Sequence, residues 1–349
     1  MEYVKDPSAG EVRIHKMDLP PKRFNVKDRR VKLRKINNDK LNYVNDIDAM
    51  NVQVLSYPSL DALKRYIPEL VMATWNEDEM QFTESLTDED RLRFVIRTLQ
   101  GKFIPTALRS INITFRITGM SWHDVSHLIR TTGFSYAADC SGDKLMEGRP
   151  ILVPEFLMEK KDENGTPLFD LYQQACSNLM HIYDIAVNSG DVHVQDARLM
   201  LPRTMSTFYY VTGGLDTCLR FISQRIDRQV QPKADNIMAM LLAVELTKIL
   251  PIMIDVDQPN KFYINESKTN FKSGWDYPNE VNGQQIPEQY KAEDMFVYGS
   301  KRRDELVGNQ NFVERWNELK EILTELQGKW LDTPDIAEAI KDCTDGDWK

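Results

Sequence analysis

Residues 110–130 read SINITFRITGMSWHDVSHLIR, a strand that runs directly into a helix. Ile111, Ile113, Phe115 and Ile117 fall on one face, opposite Asn112, Thr114 and Arg116, which is the two-residue alternation of a half-buried strand. Ser121 then opens a helix over WHDVSHLIR as its cap. The same alternation marks NVQVLSY from Asn51 and STFYYVTG from Ser206. Helical spacing marks SLDALKRYIPELVMATW, where Leu60, Leu63, Tyr66, Ile67 and Leu70 line up. It also marks SLTDEDRLRFVIRTLQG, with Ser85 or Thr87 as cap, acids in the first turn and Gly101 as the stop. Further helices are predicted over 170–189, 192–200, 215–228 and 233–250, the last stopped by Pro251. Strands and helices interleave, so the class is α+β or α/β, with helices covering a small sheet.

Around this region the composition is ordinary for a globular chain. The 349 residues are 42% hydrophobic and 28% charged, with 16 Gly and 16 Pro. Wholesale disorder, collagen repeats and coiled-coil rods are thereby excluded. The longest apolar run, 237–254, is broken or flanked by Asn236, Glu245, Lys248, Pro251 and Asp255, so no membrane span is expected. The N-terminus lacks the apolar stretch of a signal peptide, and a soluble cytoplasmic protein is the expectation. Cys140, Cys176, Cys218 and Cys343 are too widely spaced for a zinc site and read as reduced thiols. The five histidines, His15, His123, His127, His181 and His193, show no HExxH and no metal-ligand pair on one helical face, so no metal is expected. The net charge of -9 disfavours nucleic-acid binding.

Charge and texture divide the chain into three expected parts. Residues 1–50 form a basic N-terminal extension, with ten Lys/Arg against three Asp between Lys16 and Lys40, read as a solvated arm. Residues 51–258 form the folded domain. Residues 259–349 form a polar C-terminal extension in which Phe312, Trp316, Leu319, Leu323, Leu326 and Trp330 repeat at 4,3,4,3,4. That spacing makes one apolar stripe on a helix near 311–330, read as docked on its own domain rather than as a dimerisation seam.

No GxGxxG, GxxxxGK[ST] or GxSxG is present, so the Rossmann, P-loop and hydrolase readings have no support. What remains is a set of polar groups at element ends: His127 and Arg130 before the loop TTGFSYAADCSGD, Arg198 in DARLMLP, and Arg225 in SQRIDRQVQ, with Gln231 six residues on. Several guanidinium groups near a Ser/Gly loop suit a planar ligand that carries phosphate. Surface arginines that merely neutralise local acids are the plain alternative.

The order of these pieces matters more than any one of them. ITFRI, RTTGFSYAADCSGD, ARLMLP and QRIDRQVQPKA follow one another as do FTFxI, RHRxxSxNExSxR, AR-hydrophobic-hydrophobic-LP and LRxxxxAQWEI in a known family. Over about residues 51–255 the chain resembles the flavin-dependent thymidylate synthases. The resemblance implies an α+β fold with helices around a small, mainly antiparallel sheet. It implies C5 methylation or hydroxymethylation of a pyrimidine deoxynucleoside monophosphate, dUMP to dTMP in the family. FAD would be the cofactor, with methylenetetrahydrofolate and NADPH as cosubstrates, in a homotetramer whose subunits share active sites.

Carried over by position, the resemblance assigns Arg225 to the catalytic role of polarising the pyrimidine and Arg198 to orienting the base. Arg130, Ser141 and Gly142 would fix the nucleotide, with His127 where the family has glutamine and Asp143 where it has arginine. Phosphate binding would fall to His127 or an added cation such as Arg149. Flavin-side positions are Arg130, Thr131, Thr132, Asp139 and Arg220, of which Arg130-Thr131-Thr132 replaces the family's Arg-His-Arg. The family's upstream His and Glu-His fall near Ile104 and on Arg109-Ser110. Lys102, Arg109 and the basic arm supply substitute cations. Cys140 has no histidine near it in sequence to generate a thiolate and reads as a loop thiol. Two alternatives stay open. Asp143 could accept a hydrogen bond from the amino group of cytosine, giving a dCMP-directed enzyme. Loss of flavin contacts could instead mark a catalytically lapsed member with a structural or binding role.

Overall fold

The computed structural model describes residues 4–6, 10–14, 41–256 (apart from 74, 104, 140, 142–145, 147, 227, 229 and 230), 280–281, 284–285 and 310–345. In chain order the first elements are β1 (Val4–Asp6), β2 (Gly10–Ile14), β3 (Tyr43–Asn45), α1 (Asp46–Ala49) and β4 (Asn51–Pro58). Next come α2 (Leu60–Met72), α3 (Glu79–Ser85), α4 (Asp88–Leu99), α5 (Pro105–Ser110), β5 (Asn112–Met120) and α6 (Trp122–Leu128). They are followed by β6 (Ser135–Ala138), β7 (Ile151–Val153), α7 (Glu155–Glu159), α8 (Leu168–Asn188) and α9 (Val194–Ala197). The last are β8 (Thr207–Gly214), α10 (Leu215–Arg225), α11 (Lys233–Ile249), α12 (Gln310–Leu331) and α13 (Pro334–Asp345).

The alternation read in 111–117 is the middle of the sheet. Strand order is β1-β2-β4-β5-β8-β6, and every neighbouring pair is antiparallel. The fold is therefore α+β, as expected. Ile113, Phe115 and Ile117 are fully buried, as are Val52 and Val54 on β4 and Val211 on β8, so one face of the sheet is core. At the end of β5 the register shifts between Thr118 and Met120. Gly119 sits there at φ +76°, and a Cβ on it would lie 1.9 Å from the Ala49 carbonyl oxygen, so only glycine fits.

Helix α11 lies across the buried face, and its low amphipathicity has a physical cause. Ile237, Met238, Met240, Leu242 and Leu246 are all fully buried because the sheet covers one side and α12 the other. The stripe on α12 is the second wall: Phe312, Trp316, Leu319 and Leu323 are buried in the same core, with Leu326 and Trp330 packed at its margin. Trp330 Nε1 donates to the Thr247 carbonyl at 2.6 Å, and Gln327 Nε2 to that of Ile254 at 2.9 Å. This helix is docked on its own chain, as its spacing predicted. A second, smaller core of Met146, Met180, Tyr183, Val187, Ala197 and Met205 lies under α8 and α9.

Several elements differ from the sequence expectation. Helix α10 ends at Arg225 rather than at 228, and the 192–200 segment is one α-turn followed by a 3-10 turn, Arg198–Met200. The loop after Arg130 contains β6, which pairs with β8 from Ser135↔Thr212 to Ala138↔Tyr209. Strand β3 pairs in parallel with β7, and Ile47 and Met50 enter the main core. Helix α13 packs on α4, where Arg93 meets Glu338 at 3.5 Å and Asp342 at 3.2 Å. The basic stretch 16–40 lies outside the described residues.

Candidate active site

Three element ends meet at one place: the last turn of α6, the last turn of α10 and the first turn of α11. A capping box between Ser121 and Asp124 fixes the start of α6 and so the position of His127. Pro232 precedes α11 and sets Asp235 in its first turn. His127 Nδ1 lies 2.7 Å from Asp235 Oδ2, and the Asp235 side chain is fully buried. A carboxylate only accepts, so this contact puts the imidazole N–H on Nδ1. Burial, then the Arg225 and Arg130 guanidinium groups, hold the His127 pKa below its ordinary value, opposed by Asp124.

Arg225 ties this cluster together. Its Nη1 donates to Gln231 Oε1 at 2.7 Å and lies 3.5 Å from Asp235 Oδ2, while Nη2 donates to the His127 carbonyl at 3.2 Å. Asn236 Nδ2 in turn donates to the Arg225 carbonyl at 2.8 Å and closes the end of α10. Arg225 Nε is buried and meets no partner among the described residues. The structure thus joins two sequence candidates, His127 and Arg225, and adds Asp235, with Gln231 as a direct partner of the arginine. Sequence reasoning passed over Asp235, because an acid in the first turn of a helix after proline is what most helix starts carry.

A separate cleft of about 440 Å³ opens where β5 begins and β8 ends, lined by Arg109, Thr132, Gly133, Gly214, Asp216 and Arg220 among others. Arg109 Nε meets Asp216 Oδ2 at 3.1 Å and Arg220 Nη2 meets the same oxygen at 3.6 Å, so two cations share one buried carboxylate. Gly133, at φ +101°, lets the backbone approach Thr217 Oγ1 within 2.7 Å of where a Cβ would stand. Arg109 is 65% exposed, and Arg220 Nε is buried without a partner among the described residues. An anion brought here meets the exposed Arg109 guanidinium and the N-terminus of α10, beside the Asp216 carboxylate. That donor set suits a ligand that carries phosphate.

The other sequence candidates are placed as follows. Asp139 is buried and paired with Arg149 at 2.5 Å, and Arg149 lies over the Phe208 ring at 5.6 Å. Ser141 is buried nearby in sequence, while Cys140, Gly142 and Asp143 lie outside the described residues. Arg130 and Thr132 are exposed and Thr131 is buried, its carbonyl accepting from Tyr136 OH at 3.1 Å. Arg198 is exposed on the 3-10 turn beside α8, apart from the Arg225 cluster in every hydrogen bond and ion pair of the described residues. One expectation is corrected. His123 and His127 do share a helical face, their rings 4.5 Å apart, because a spacing of four on α6 stacks them. Among the described residues no third ligand completes a metal site with them.

Residues 54–252 match the family described as "Thymidylate synthase complementing protein". The chain belongs to that family. Among characterised proteins it is similar to a flavin-dependent thymidylate synthase of Pyrococcus furiosus, 24% identical over 165 residues, which are 46% of this chain. The matched part spans 65% of that relative's length. Among solved structures, this member of the family is similar to a UMP/dUMP methylase, PolB, from Streptomyces cacaoi. The complex with 5-Br dUMP gives a TM-score of 0.46 at 16% identity, covering 60% of this chain and 93% of the other. The complex with 5-Br UMP gives 0.46 at 12%, covering 64% and 99%. Among the described residues no helix is long and apolar enough to cross a membrane.

Proposed function

We propose that this protein alkylates C5 of a pyrimidine deoxynucleoside monophosphate, with dUMP as substrate and methylenetetrahydrofolate as one-carbon donor. The observation that carries the reading is Arg225, a guanidinium locked by Gln231, Asp235 and the His127 carbonyl, with its buried Nε left over. A preorganised guanidinium is a two-pronged partner for the ring oxygens of a pyrimidine and would orient the base with C5 toward the one-carbon donor. Family membership over 54–252 includes both His127 and Arg225.

The remaining candidates take supporting roles. By family resemblance Arg130, Ser141, Gly142 and Asp143 would fix the nucleotide, and Arg149 pairs with the buried Asp139. Arg109, Thr132 and Arg220 would hold the phosphates of FAD in the cleft beside Asp216. When bound and reduced, the flavin supplies hydride, with NADPH as its source. Arg198 reaches a nucleotide from a second copy of the chain. Its exposed turn adjoins α8, whose Leu171, Leu179, Ile182 and Ile185 form an exposed apolar stripe suited to self-association, a homotetramer by family resemblance.

The test is product analysis. Purified protein is given dUMP or dCMP with methylenetetrahydrofolate, NADPH and FAD, and nucleotide mass is followed. A methyl or hydroxymethyl gain on dUMP is expected, and gain on dCMP alone would reassign the base through Asp143. A folded protein that alters no pyrimidine nucleotide refutes the enzyme reading in favour of a lapsed, binding role.

A further inference from the structure

We propose that His127 is the general base of this site, its Nε2 taking the proton that leaves C5 of the pyrimidine, with Asp235 as its positioning residue. The assignment rests on the nucleotide reading above. Its own support is geometric. The 2.7 Å contact to a fully buried carboxylate fixes the N–H on Nδ1 and leaves the lone pair on Nε2. Arg225 grips both halves of the pair, the His127 carbonyl at 3.2 Å and Asp235 Oδ2 at 3.5 Å, so base and cation move as one unit. A pyrimidine held by Arg225 would therefore lie beside the imidazole.

Substitution at C5 requires such a group. The C5=C6 π pair forms the new bond to the electrophilic methylene of an iminium-type carrier, whose own π pair passes to its nitrogen. Positive charge then rests on N1 of the ring. The C5–H bond breaks next, its electron pair restoring C5=C6 and its proton passing to Nε2. No oxidant or reductant enters this step. The charged and titratable groups facing His127 are His123, Asp124 and Arg130 from its own segment, Arg225 from α10 and Asp235 from α11, with Asp46 of α1 acting on Asp124. Burial and the two arginines favour the neutral imidazole, the form a base needs, against the opposing Asp124 carboxylate.

The experiment follows tritium release from [5-³H]dUMP and [5-³H]dCMP by the full-length protein with methylenetetrahydrofolate, alongside calorimetric nucleotide binding. In His127→Gln, nucleotide affinity is expected to stay within about threefold while release falls by ~100-fold or more, the usual range for a lost acid–base group. The acid limb of the pH–rate profile should vanish with it, and in Asp235→Asn that limb should move to lower pH. Release at the wild-type rate by His127→Gln overturns the proposal, as does a parallel loss of affinity and release, which marks a binding role. If His127→Gln does not fold, an acid limb unmoved in Asp235→Asn overturns it. A wild-type protein that binds neither nucleotide removes the underlying reading as well, and is told apart by the calorimetry alone.

Discussion

Asp46 shows how far one side chain can depart from its solution chemistry in this fold. It stands in the first turn of α1, and burial, reinforced by the nearby Asp124 carboxylate, pushes its pKa up to about 7. The folded state therefore keeps a proton that the unfolded chain releases from about pH 4 upward. Stability associated with Asp46 is full below that pH and is lost as pH rises through about 7. Asp46→Asn cannot ionise and is predicted to remove this slope, matching the wild type near pH 4 and exceeding it at pH 8 in urea midpoints. Gly119 carries a steric prediction. With a Cβ only 1.9 Å from the Ala49 oxygen, Gly119→Ala should cost more than ~3 kcal/mol or prevent folding, read by thermal denaturation. At this scale the sequence was half legible. His127 and Arg225 stood out at helix ends, but Asp235 did not, since its partner lies 108 positions away and only the meeting of α6 with α11 gives it meaning.

Elements were most legible where hydrophobic spacing is long and regular. The nine residues of β5, the capped start of α4 at Thr87 and the five-turn stripe of α12 all follow from period and cap chemistry. Strands β3 and β6 did not, because three or four residues carry too little alternation, and their partners are distant: Tyr43 pairs with Ile151 and Ser135 with Thr212. Helix α13 escaped because its buried side is small, Ile336, Ala339 and Cys343, and its attachment depends on Arg93 from α4. The stripe of α12 gives a direct prediction. Trp316 is 2% exposed in the main core, so Trp316→Ala should cost ~3–5 kcal/mol in urea denaturation. Trp330→Phe removes the bond to the Thr247 carbonyl together with part of the ring that packs at the core margin, and should cost ~1–3 kcal/mol.

The whole molecule presents two kinds of surface that the chain alone leaves open. One is the cleft in which Arg109 and Arg220 share Asp216, and the other is the apolar stripe of α8. The stripe lies next to Arg198, so assembly and site completion are coupled in the proposed account. Ile182 and Ile185 are 47% and 56% exposed, and replacing both with Glu should lower the oligomeric state in sedimentation velocity while circular dichroism is unchanged. The family was legible from the order of four weak segments, none of them decisive alone, because a site assembled from element ends needs only its ends in sequence order. The central claim is that Arg225 anchors a pyrimidine nucleotide. Titration calorimetry of dUMP and dCMP against the wild type and Arg225→Ala tests it most directly. Saturable binding of one nucleotide, weakened by about tenfold or more in the variant, is predicted from the loss of a charged hydrogen bond. Equal affinity in both proteins, or no binding of either nucleotide by the folded wild type, would contradict it.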